Sequence, residues 1–490
     1  MALGSISFVQ KPVNTTSKVP VITNWTPLIG YMVYQDDISG LFYFKLILEV
    51  RLDDASGTLL GKIKQRRNGY SPDVAANEAR AFFDLRDIAN SVLTDTVFDQ
   101  NDSGQPFRTI HKVGANTASK PYSKNGDNTT DGTQIQTIYV KAYQQYSSTA
   151  SAIPAEDTTP SVNDTLYYLQ ASLPLMTARS TDSDYVQSDA FNVFNCNSST
   201  DRFLSDVETS AGDYSVSGYI NYIQEADYHT VAFLNDNSNF DSQLYRMYIK
   251  YYDSSGSEIA YGGVAGTNYI ENINNNGGWA PNAAGMQDDK RLLYFGAGPG
   301  NLQGQSDNTD LRPSAFSNWA YYTIQGFDEA GTPVARTAVY TFIKQDGSCK
   351  GFKVRRLAWR NSVGGYDYYN FKKKSTQTVE VQQDNYSTML GTFNKSRWRY
   401  NNTQRGKKTR QTTAILKETL NTDWITEQDA NLLEKLIMST DVYIVENADT
   451  TYTEAVMITD SSFVRKTVAN DRKIQYTINI EYANPLNTNS

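Results

Sequence analysis

The sequence predicts a mainly β protein composed of several antiparallel β-sandwich domains, with a few short helices and a C-terminal domain of mixed α+β character. Two features of the composition indicate this fold class. The chain contains 34 tyrosines among 490 residues and 12% aromatic residues, and tyrosine, threonine and valine all favour strands. Asparagine, serine, glycine and aspartate occupy the intervals between the aromatic runs, as an all-β chain with many turns requires.

The length indicates more than one hydrophobic core, because single cores stop growing at about 250–300 residues. Shifts in composition suggest where domains meet. We predict an N-terminal β-rich domain with one short helix and a long polar loop, two central β-domains of which the second carries a basic strip, and a C-terminal β-sandwich with a flanking helix, at residues 1–150, 151–270, 271–375 and 376–490.

The N-terminal part contains the first clear strand. In residues 41–52 (LFYFKLILEVRL) large apolar side chains alternate with charged ones, which predicts a strand with one buried face. Residues 53–57 form the following turn and residues 58–64 its returning partner. Residues 82–93 then have helical spacing with Asp84 as the cap, and this predicts one short helix packed on the sheet.

Polar segments interrupt the middle of the chain. Residues 99–133 predict a long loop, and we interpret residues 147–163 as a linker and residues 272–278 as a second boundary. Further strands are predicted by alternation and by aromatic or β-branched runs, at residues 136–144, 166–169, 219–223, 229–234, 243–252, 321–327, 338–343 and 352–359.

The C-terminal part has the clearest pattern. Thr426 is expected to cap a helix with Asp429 as its capping-box partner. The apolar stripe of that helix comprises Ala430, Leu433, Leu436 and Ile437. Strands follow at residues 441–446, 455–459 and 473–482, and the last of these (KIQYTINIEY) alternates regularly. We interpret this part as a β-sandwich flanked by one helix.

Charge and rare residues exclude some classes of function. The net charge of −8 and the pI near 5.1 argue against a protein that binds nucleic acid through its whole surface. Two cysteines and two histidines are too few for a conventional Cys/His zinc cluster. We expect Cys196 and Cys349 to be buried thiols rather than a disulfide. We expect neither a signal peptide nor a membrane-spanning segment.

No motif indicates catalysis or a cofactor. His111 and His229 are the only histidines, and we interpret both as structural or surface residues. Residues 127–132 resemble part of a calcium loop but lack its spacing and terminal glutamate. The glycine-rich residues 296–304 lack the lysine and the strand-to-helix context of a phosphate loop. We therefore predict that the chain is not an enzyme and has no catalytic, cofactor-binding or metal-binding residues.

One charge feature suggests a functional surface. Residues 350–374 and 395–410 are basic and contain interleaved aromatic side chains, a combination that suits DNA, a glycan or a protein partner. We favour a protein interface, since a basic strip complements acidic copies of the same chain. The candidate interface residues are Arg355, Arg356, Trp359, Arg360, Lys372, Lys373, Lys374, Arg397, Trp398, Arg399, Arg405, Lys407, Lys408 and Arg410.

Several passages resemble virion structural proteins of tailed bacteriophages, especially those of Bacteroidota hosts and marine bacteria. The resemblance is carried by residues 356–371 (RLAWRNSVGGYDYYNF), by the 42–64 hairpin leading into residues 83–93, and by residues 202–205 followed by a tyrosine-rich strand pair. Residues 425–445 resemble the last domain of baseplate, distal-tail and ring proteins. The resemblance implies a multidomain β-sandwich subunit of a symmetric ring, as in the stacked tail rings of crAss-like phages, with no catalytic residues.

These features lead to a functional hypothesis with two rivals. We expect a ring-forming subunit of a phage tail or neck that contacts its own copies and other virion proteins, such as portal-proximal, hub or fibre proteins. DNA would pass through the lumen without specific binding, and the protein would be assembled in the host cytoplasm and reside in the virion, with no membrane insertion. The alternatives are a receptor-binding tail fibre or lectin-like glycan-binding protein and, less favoured, a glycan depolymerase.

Overall fold

A computed structural model of the chain confirms the predicted mainly β class, with several antiparallel sheets and few helices. It describes residues 6–8, 21–23, 32–34, 40–52, 54–66, 79–81, 83–85, 87–88, 91, 135–169, 196, 198–212, 214–234, 244, 246–259, 269–271, 292–302, 318–328, 332–345, 351–404, 406–445, 453–466 and 474–486. Several predicted features lie outside these residues: the loop at residues 99–133 with the calcium-loop-like residues 127–132, the boundary at residues 272–278, His111, Cys349 and part of the helix at residues 82–93.

The chain divides into two compact units. The first comprises Met1–Gln345 with Asn361–Asp367, and the second comprises Asp346–Arg360 with Tyr368–Ser490. The predicted domain boundaries after residues 150, 270 and 375 each separate strands that belong to one sheet. The sheets therefore do not follow these boundaries, and the division into four domains stays a prediction.

The first unit begins with two packed sheets. Their strands are β1 (Ile6–Phe8), β2 (Val21–Thr23), β3 (Met32–Tyr34), β4 (Phe42–Leu52), β5 (Leu59–Arg66), β6 (Ala79–Ala81), β7 (Ile135–Ser147) and β8 (Ala155–Leu169). The larger sheet has the order β2-β8-β7-β4-β5, and the smaller has the order β1-β3-β6. Leu46, Leu48 and Val50 share a core with Ile6 and Ala81, so the two sheets pack face to face as a β-sandwich.

The predicted hairpin of β4 and β5 is confirmed, but β4 is more buried than expected. Ile47 and Glu49, on the face predicted to be solvated, are also buried. The reason is that β4 lies inside the sheet between β5 and β7. In the turn of the hairpin, a Cβ atom on Gly57 would lie 1.6 Å from the Leu52 carbonyl oxygen, so this position requires glycine.

The linker predicted at residues 147–163 is wrong. These residues form the turn of the β7–β8 hairpin and the first half of β8. Among the described residues, β8 pairs on its outer side with Val21–Thr23 of β2 alone, at its C-terminal end. The polar composition of the first half is tolerated because, within this part of the chain, it is an edge. Pro160 falls where the register between β7 and β8 shifts, a position at which a missing N–H does no harm.

A second sandwich occupies the remainder of the first unit. Its elements are β9 (Thr209–Ala211), β10 (Ser217–Ile223), β11 (Thr230–Leu234), β12 (Arg246–Tyr252), β13 (Tyr269–Glu271), β14 (Leu292–Gly296), the short helix α1 (Pro299–Leu302), β15 (Tyr321–Phe327) and β16 (Tyr340–Lys344). A six-stranded sheet has the order β13-β12-β15-β16-β10-β9, and β11 pairs with β14.

Aromatic rings fill the core between these two sheets. Phe233 and Phe295 of the smaller sheet share a core with Tyr322 and Phe342 of the larger. The rings of Tyr322 and Phe342 are stacked with centroids 4.8 Å apart. The high tyrosine content thus contributes directly to the packing of this sandwich.

The second unit contains one large sheet and one helix. Its elements are β17 (Arg355–Arg360), β18 (Tyr366–Phe371), β19 (Thr376–Ser387), β20 (Thr392–Asn394), β21 (Arg397–Arg399), β22 (Lys407–Asn421), α2 (Glu427–Met438), β23 (Val442–Val445), β24 (Thr453–Ile458) and β25 (Thr477–Tyr482). The sheet order is β18-β17-β23-β24-β25-β22-β19, and β20 pairs separately with β21.

The helix α2 begins as predicted. The Thr426 hydroxyl accepts a hydrogen bond from the Asp429 N–H, and the Asp429 carboxylate accepts one from the Thr426 N–H, which completes the capping box. Its buried residues are Ala430, Leu432, Leu433 and Leu436. No helix among the described residues is both long and apolar enough to cross a membrane.

Candidate functional site: an exposed basic β-arm

The structure separates the predicted basic strip into a buried part and an exposed part. In the buried part, Trp359 is fully buried, and Arg355, Arg356 and Arg360 are also buried. All four lie on β17, an interior strand between β18 and β23. They therefore belong to the core of the second unit and offer no surface to a partner in this conformation.

Each buried arginine forms an ion pair or a hydrogen bond with a residue of its own unit. Arg355 donates to the buried carboxylate of Glu418 over 2.9 Å, and Arg360 forms a 2.8 Å ion pair with Asp441. Burial alone would raise the pKa of Glu418, but hydrogen bonds from Arg355 and neighbouring side chains lower it overall.

Arg356 is matched by neutral groups of the same unit. Its guanidinium donates to the Asn370 amide oxygen over 2.9 Å and lies 4.8 Å from the centre of the Tyr368 ring. The partners of the three arginines are 12 to 81 residues away along the chain, so a local charge pattern could not identify them.

The lysines after β18 are partly matched as well. Lys372 and Lys373 lie 3.9 and 3.1 Å from the carboxylate of Asp423, and Lys374 is exposed. These side chains lie just before β19, at the base of the exposed part.

The exposed part is a two-stranded extension of the sheet, residues 381–411, which we call the β-arm. Strands β19 and β22 pair from Thr376–Thr419 to Ser387–Lys407, whereas β25 pairs only with Lys417–Asn421 of β22. On the same side of β22, the Leu486 N–H donates to the Ala414 carbonyl oxygen over 2.9 Å. The paired strands continue beyond Ala414 for about seven residues of β22, or roughly 20 Å at about 3.3 Å per residue. All twelve residues of β19 are exposed.

The tip of the β-arm has two different faces. Phe393 pairs directly with Trp398, and their rings meet edge to face with centroids 6.5 Å apart. Arg397 and Arg399 project to the opposite side, because successive side chains of a strand alternate. Phe393 is 70% exposed and Trp398 is 43% exposed. The tip thus offers an aromatic face and a basic face.

The charge of the β-arm opposes that of the rest of the chain. Seven basic residues and one acidic residue, Asp384, fall between residues 381 and 411. Because the whole chain carries −8 and the β-arm +6, the remaining residues carry −14. Of the predicted interface residues, Arg397, Trp398, Arg399, Lys407, Lys408 and Arg410 are exposed on the β-arm, and the placement of Arg405 is outside the described residues.

The first unit contains a carboxylate pair that the sequence analysis missed, in which Asp367 is buried and Asp206 is partly buried. The Asp367 carboxylate accepts hydrogen bonds from the Ser205 hydroxyl over 2.6 Å and from the Asp206 N–H over 2.8 Å. The Asp206 carboxylate accepts bonds from the N–H and the hydroxyl of Ser362. Burial, together with the nearby charge of Asp206, raises the pKa of Asp367 to about 7.

The geometry of this pair is that of a structural contact. Asp367 is 1% exposed, so a substrate cannot reach it. Asp367 lies near the start of β18, and the turn before this strand is held against residues 204–207 by a hydrogen bond from the Asn361 amide to the Leu204 carbonyl oxygen. A Cβ atom on Gly365 would lie 2.1 Å from that oxygen, which explains one glycine of the Gly-Gly turn.

A charged cluster covers part of the five-stranded sheet. The Tyr143 hydroxyl lies 3.1 Å from Glu49 and 3.0 Å from Glu156, and Lys62 lies within 3.3 Å of both carboxylates. Hydrogen bonds from Lys64 and Lys62 lower the pKa of Glu156 to about 2. The charges are balanced by close pairing across strands, which stabilises the sheet.

The remaining candidates for catalysis or metal binding make structural contacts. His229 is buried, and its ring contacts Phe342 edge to face. The Asn301 side chain of the glycine-rich segment accepts hydrogen bonds from the His229 and Gly298 N–H groups. Cys196 is buried, as predicted. Among the residues that the structure describes, no three histidine, cysteine, aspartate or glutamate side chains are grouped as metal ligands.

No family model matches the sequence, and no curated protein matches it either.

Proposed function

We propose that this chain is a non-catalytic structural subunit of a bacteriophage tail or neck. It forms a symmetric ring with its own copies, helps to build the conduit through which DNA passes without specific binding, and attaches other tail proteins. The observation that carries this proposal is the β-arm, a long ribbon that exposes aromatic and basic side chains on an otherwise acidic chain.

Two properties of the β-arm support a role in assembly. A two-stranded ribbon is only marginally stable alone in water, and it gains stability when its faces are covered. Exposed clusters of large apolar side chains on soluble proteins mark interaction surfaces. The β-arm exposes seven such side chains: Val381, Tyr386, Met389, Leu390, Phe393, Trp398 and Tyr400.

The phage assignment comes from the sequence. The passage at residues 356–371, which resembles phage virion proteins, forms β17, β18 and the loop between them. The sandwich architecture suits a subunit whose function lies in the surfaces it offers. The burial of Asp367 in the Asp206–Asp367 pair favours a structural protein over a hydrolase, because both carboxylates of a catalytic pair must meet the substrate.

A second candidate is a receptor-binding or lectin-like tail protein. The exposed Phe393, Trp398 and Tyr400 of the β-arm favour it, since aromatic side chains also stack on sugars. A depolymerase is a third and less favoured candidate.

Locating the protein in purified virions tests the proposal. We expect gold-labelled antibody to bind the tail or neck, and quantitative mass spectrometry to find several copies per particle. Label at the fibre tips together with a trimeric mass in solution would favour the receptor-binding protein. Release of reducing sugar from host capsule would favour the depolymerase, and absence from virions would overturn all three assignments.

A further inference from the structure

We propose that the β-arm of one subunit docks on an acidic surface of a second copy of this chain, with the Phe393–Trp398 face buried in the contact and Arg397 and Arg399 directed at carboxylates. This inference deepens the proposed ring function, on which it rests, by naming the segment that joins one subunit to the next.

The side chains of the β-arm have the composition of a protein interface rather than of a solvated hairpin. The centres of interfaces are enriched in tyrosine, tryptophan, phenylalanine, methionine and arginine. Residues 386–400 contain all five of these residue types, and Met389 and Phe393 are more than two-thirds exposed. Exposed apolar side chains of this size, grouped together, mark a surface that a partner covers.

The charges identify a second copy as the partner. Two bodies that each carry −14 outside the β-arm repel one another, and an arm with +6 offsets this repulsion where it meets the other body. The β-arm extends roughly 20 Å from its own sheet. This is more than twice the Debye length of about 8 Å at physiological salt, so the attraction of the basic tip to its own acidic body is largely screened, and the tip is available to a second copy.

Nucleic acid fits the β-arm less well than protein does. The basic side chains suit phosphates, but Val381, Met389 and Leu390 are also exposed on the β-arm and have no counterpart in a phosphate backbone. The rest of the chain, with a net charge of −14, also repels a polyanion such as DNA. DNA binding is therefore the competing outcome of the test.

An arm that meets a different surface on its neighbour makes a heterologous contact. Contacts of this kind close into rings when the rotation between neighbours allows it. The β-arm therefore provides the head-to-tail connection that a ring of identical subunits requires.

The test compares full-length variants in solution. The aromatic face is removed in Phe393→Ser/Trp398→Ser, and the basic face is reversed in Arg397→Glu/Arg399→Glu. The matched controls are Trp424→Ser, an exposed tryptophan outside the β-arm, and Arg66→Glu, an exposed arginine of β5. The mutated side chains are exposed, so thermal unfolding of each variant should match that of the wild type.

Sedimentation and mass photometry then measure self-association. We expect the wild type to assemble with a dissociation constant that rises with salt, because screening weakens the charge contact. Each double variant on the β-arm should raise that constant more than about tenfold, as loss of interface anchors does. The two controls should stay within about twofold of the wild type, the range of energetically neutral contacts.

Three results overturn the inference: a wild type that stays monomeric, β-arm variants that assemble like the wild type, or controls that weaken assembly as much as the β-arm variants do. Binding of a labelled DNA duplex that is lost in Arg397→Glu/Arg399→Glu while self-association is unchanged also overturns it. Failure of the ring function is distinguishable, because a chain that assembles through the β-arm but is absent from virions contradicts only the phage assignment.

Discussion

Among single residues, Asp367 is the one whose charge state should influence folding most visibly. Its pKa is raised in the folded chain, so the folded state binds a proton more tightly than the unfolded state does. This contribution to stability is complete below the ordinary pKa of an aspartate and is lost as the pH rises to about 7.

We therefore expect Asp367→Asn to weaken the pH dependence of unfolding between about pH 4 and about pH 7, the range between the ordinary and the raised pKa of this aspartate. An asparagine can still accept from the Asp206 N–H and donate to the Ser205 hydroxyl oxygen. Relative to the wild type, its Tm at pH 8 should rise by a few degrees, since about 1 kcal/mol corresponds to about 2–4 °C in a domain of 150–250 residues. Differential scanning calorimetry measures this, with Asp384→Asn on the β-arm as the exposed control. If Asp367→Asn unfolds with the same pH dependence as the wild type, Asp367 does not have a raised pKa in the folded chain.

The Arg355–Glu418 pair provides a second test at this scale. Arg355→Leu leaves the buried Glu418 carboxylate without its cationic partner, and we expect a loss of about 3–5 kcal/mol in the free energy of unfolding. The double variant Arg355→Leu/Glu418→Leu should recover most of that loss, because no unpaired charge remains. Urea denaturation measures both. Equal stability of the single and double variants would show that the arginine contributes only its packing.

At the scale of elements, the capping box at the start of α2 gives the most specific prediction. Thr426→Ala removes the hydroxyl that accepts from the Asp429 N–H, and we expect a loss of about 1 kcal/mol. Thr440→Ala, an exposed threonine after the helix, is the matched control. Thr426→Ser should retain most of the stability, since serine caps helices equally well. A Thr426→Ala variant as stable as the wild type would argue against the cap.

Elements with a local signal could be predicted from the sequence, and those that depend on distant partners could not. The strands β4 and β25 alternate and α2 has a capping box, so their patterns lie within a dozen residues. Only the end of β8, at residues 166–169, was predicted as a strand. Its polar first half was interpreted as a linker, because the local pattern does not show that these residues pair with β7. The burial of Arg355 and Arg360 was missed for the same reason.

At the scale of the whole molecule, sheet order and exposure determine which predicted interface residues remain available. The parallel pairing of β10 with β16 joins segments about 120 residues apart, and no pattern within either strand indicates it. The basic residues of the strip looked equivalent in the sequence. Only the exposure of β19 and the limited pairing of β25 with β22 distinguish the β-arm from the core strand β17.

Proteolysis of the intact chain offers a test of the β-arm that is independent of mass measurements. Trypsin cleaves after lysine and arginine, and Lys395, Arg397, Arg399, Lys407 and Lys408 are exposed on the β-arm. We expect cleavage between residues 395 and 408 to be at least about tenfold slower in concentrated, assembled protein than after dilution, because covering an exposed segment removes protease access. In Phe393→Ser/Trp398→Ser the cleavage rate should be the same at both concentrations, and mass spectrometry of the peptides measures it. Cleavage of the assembled wild type at the diluted rate would mean that the β-arm stays uncovered in the assembly.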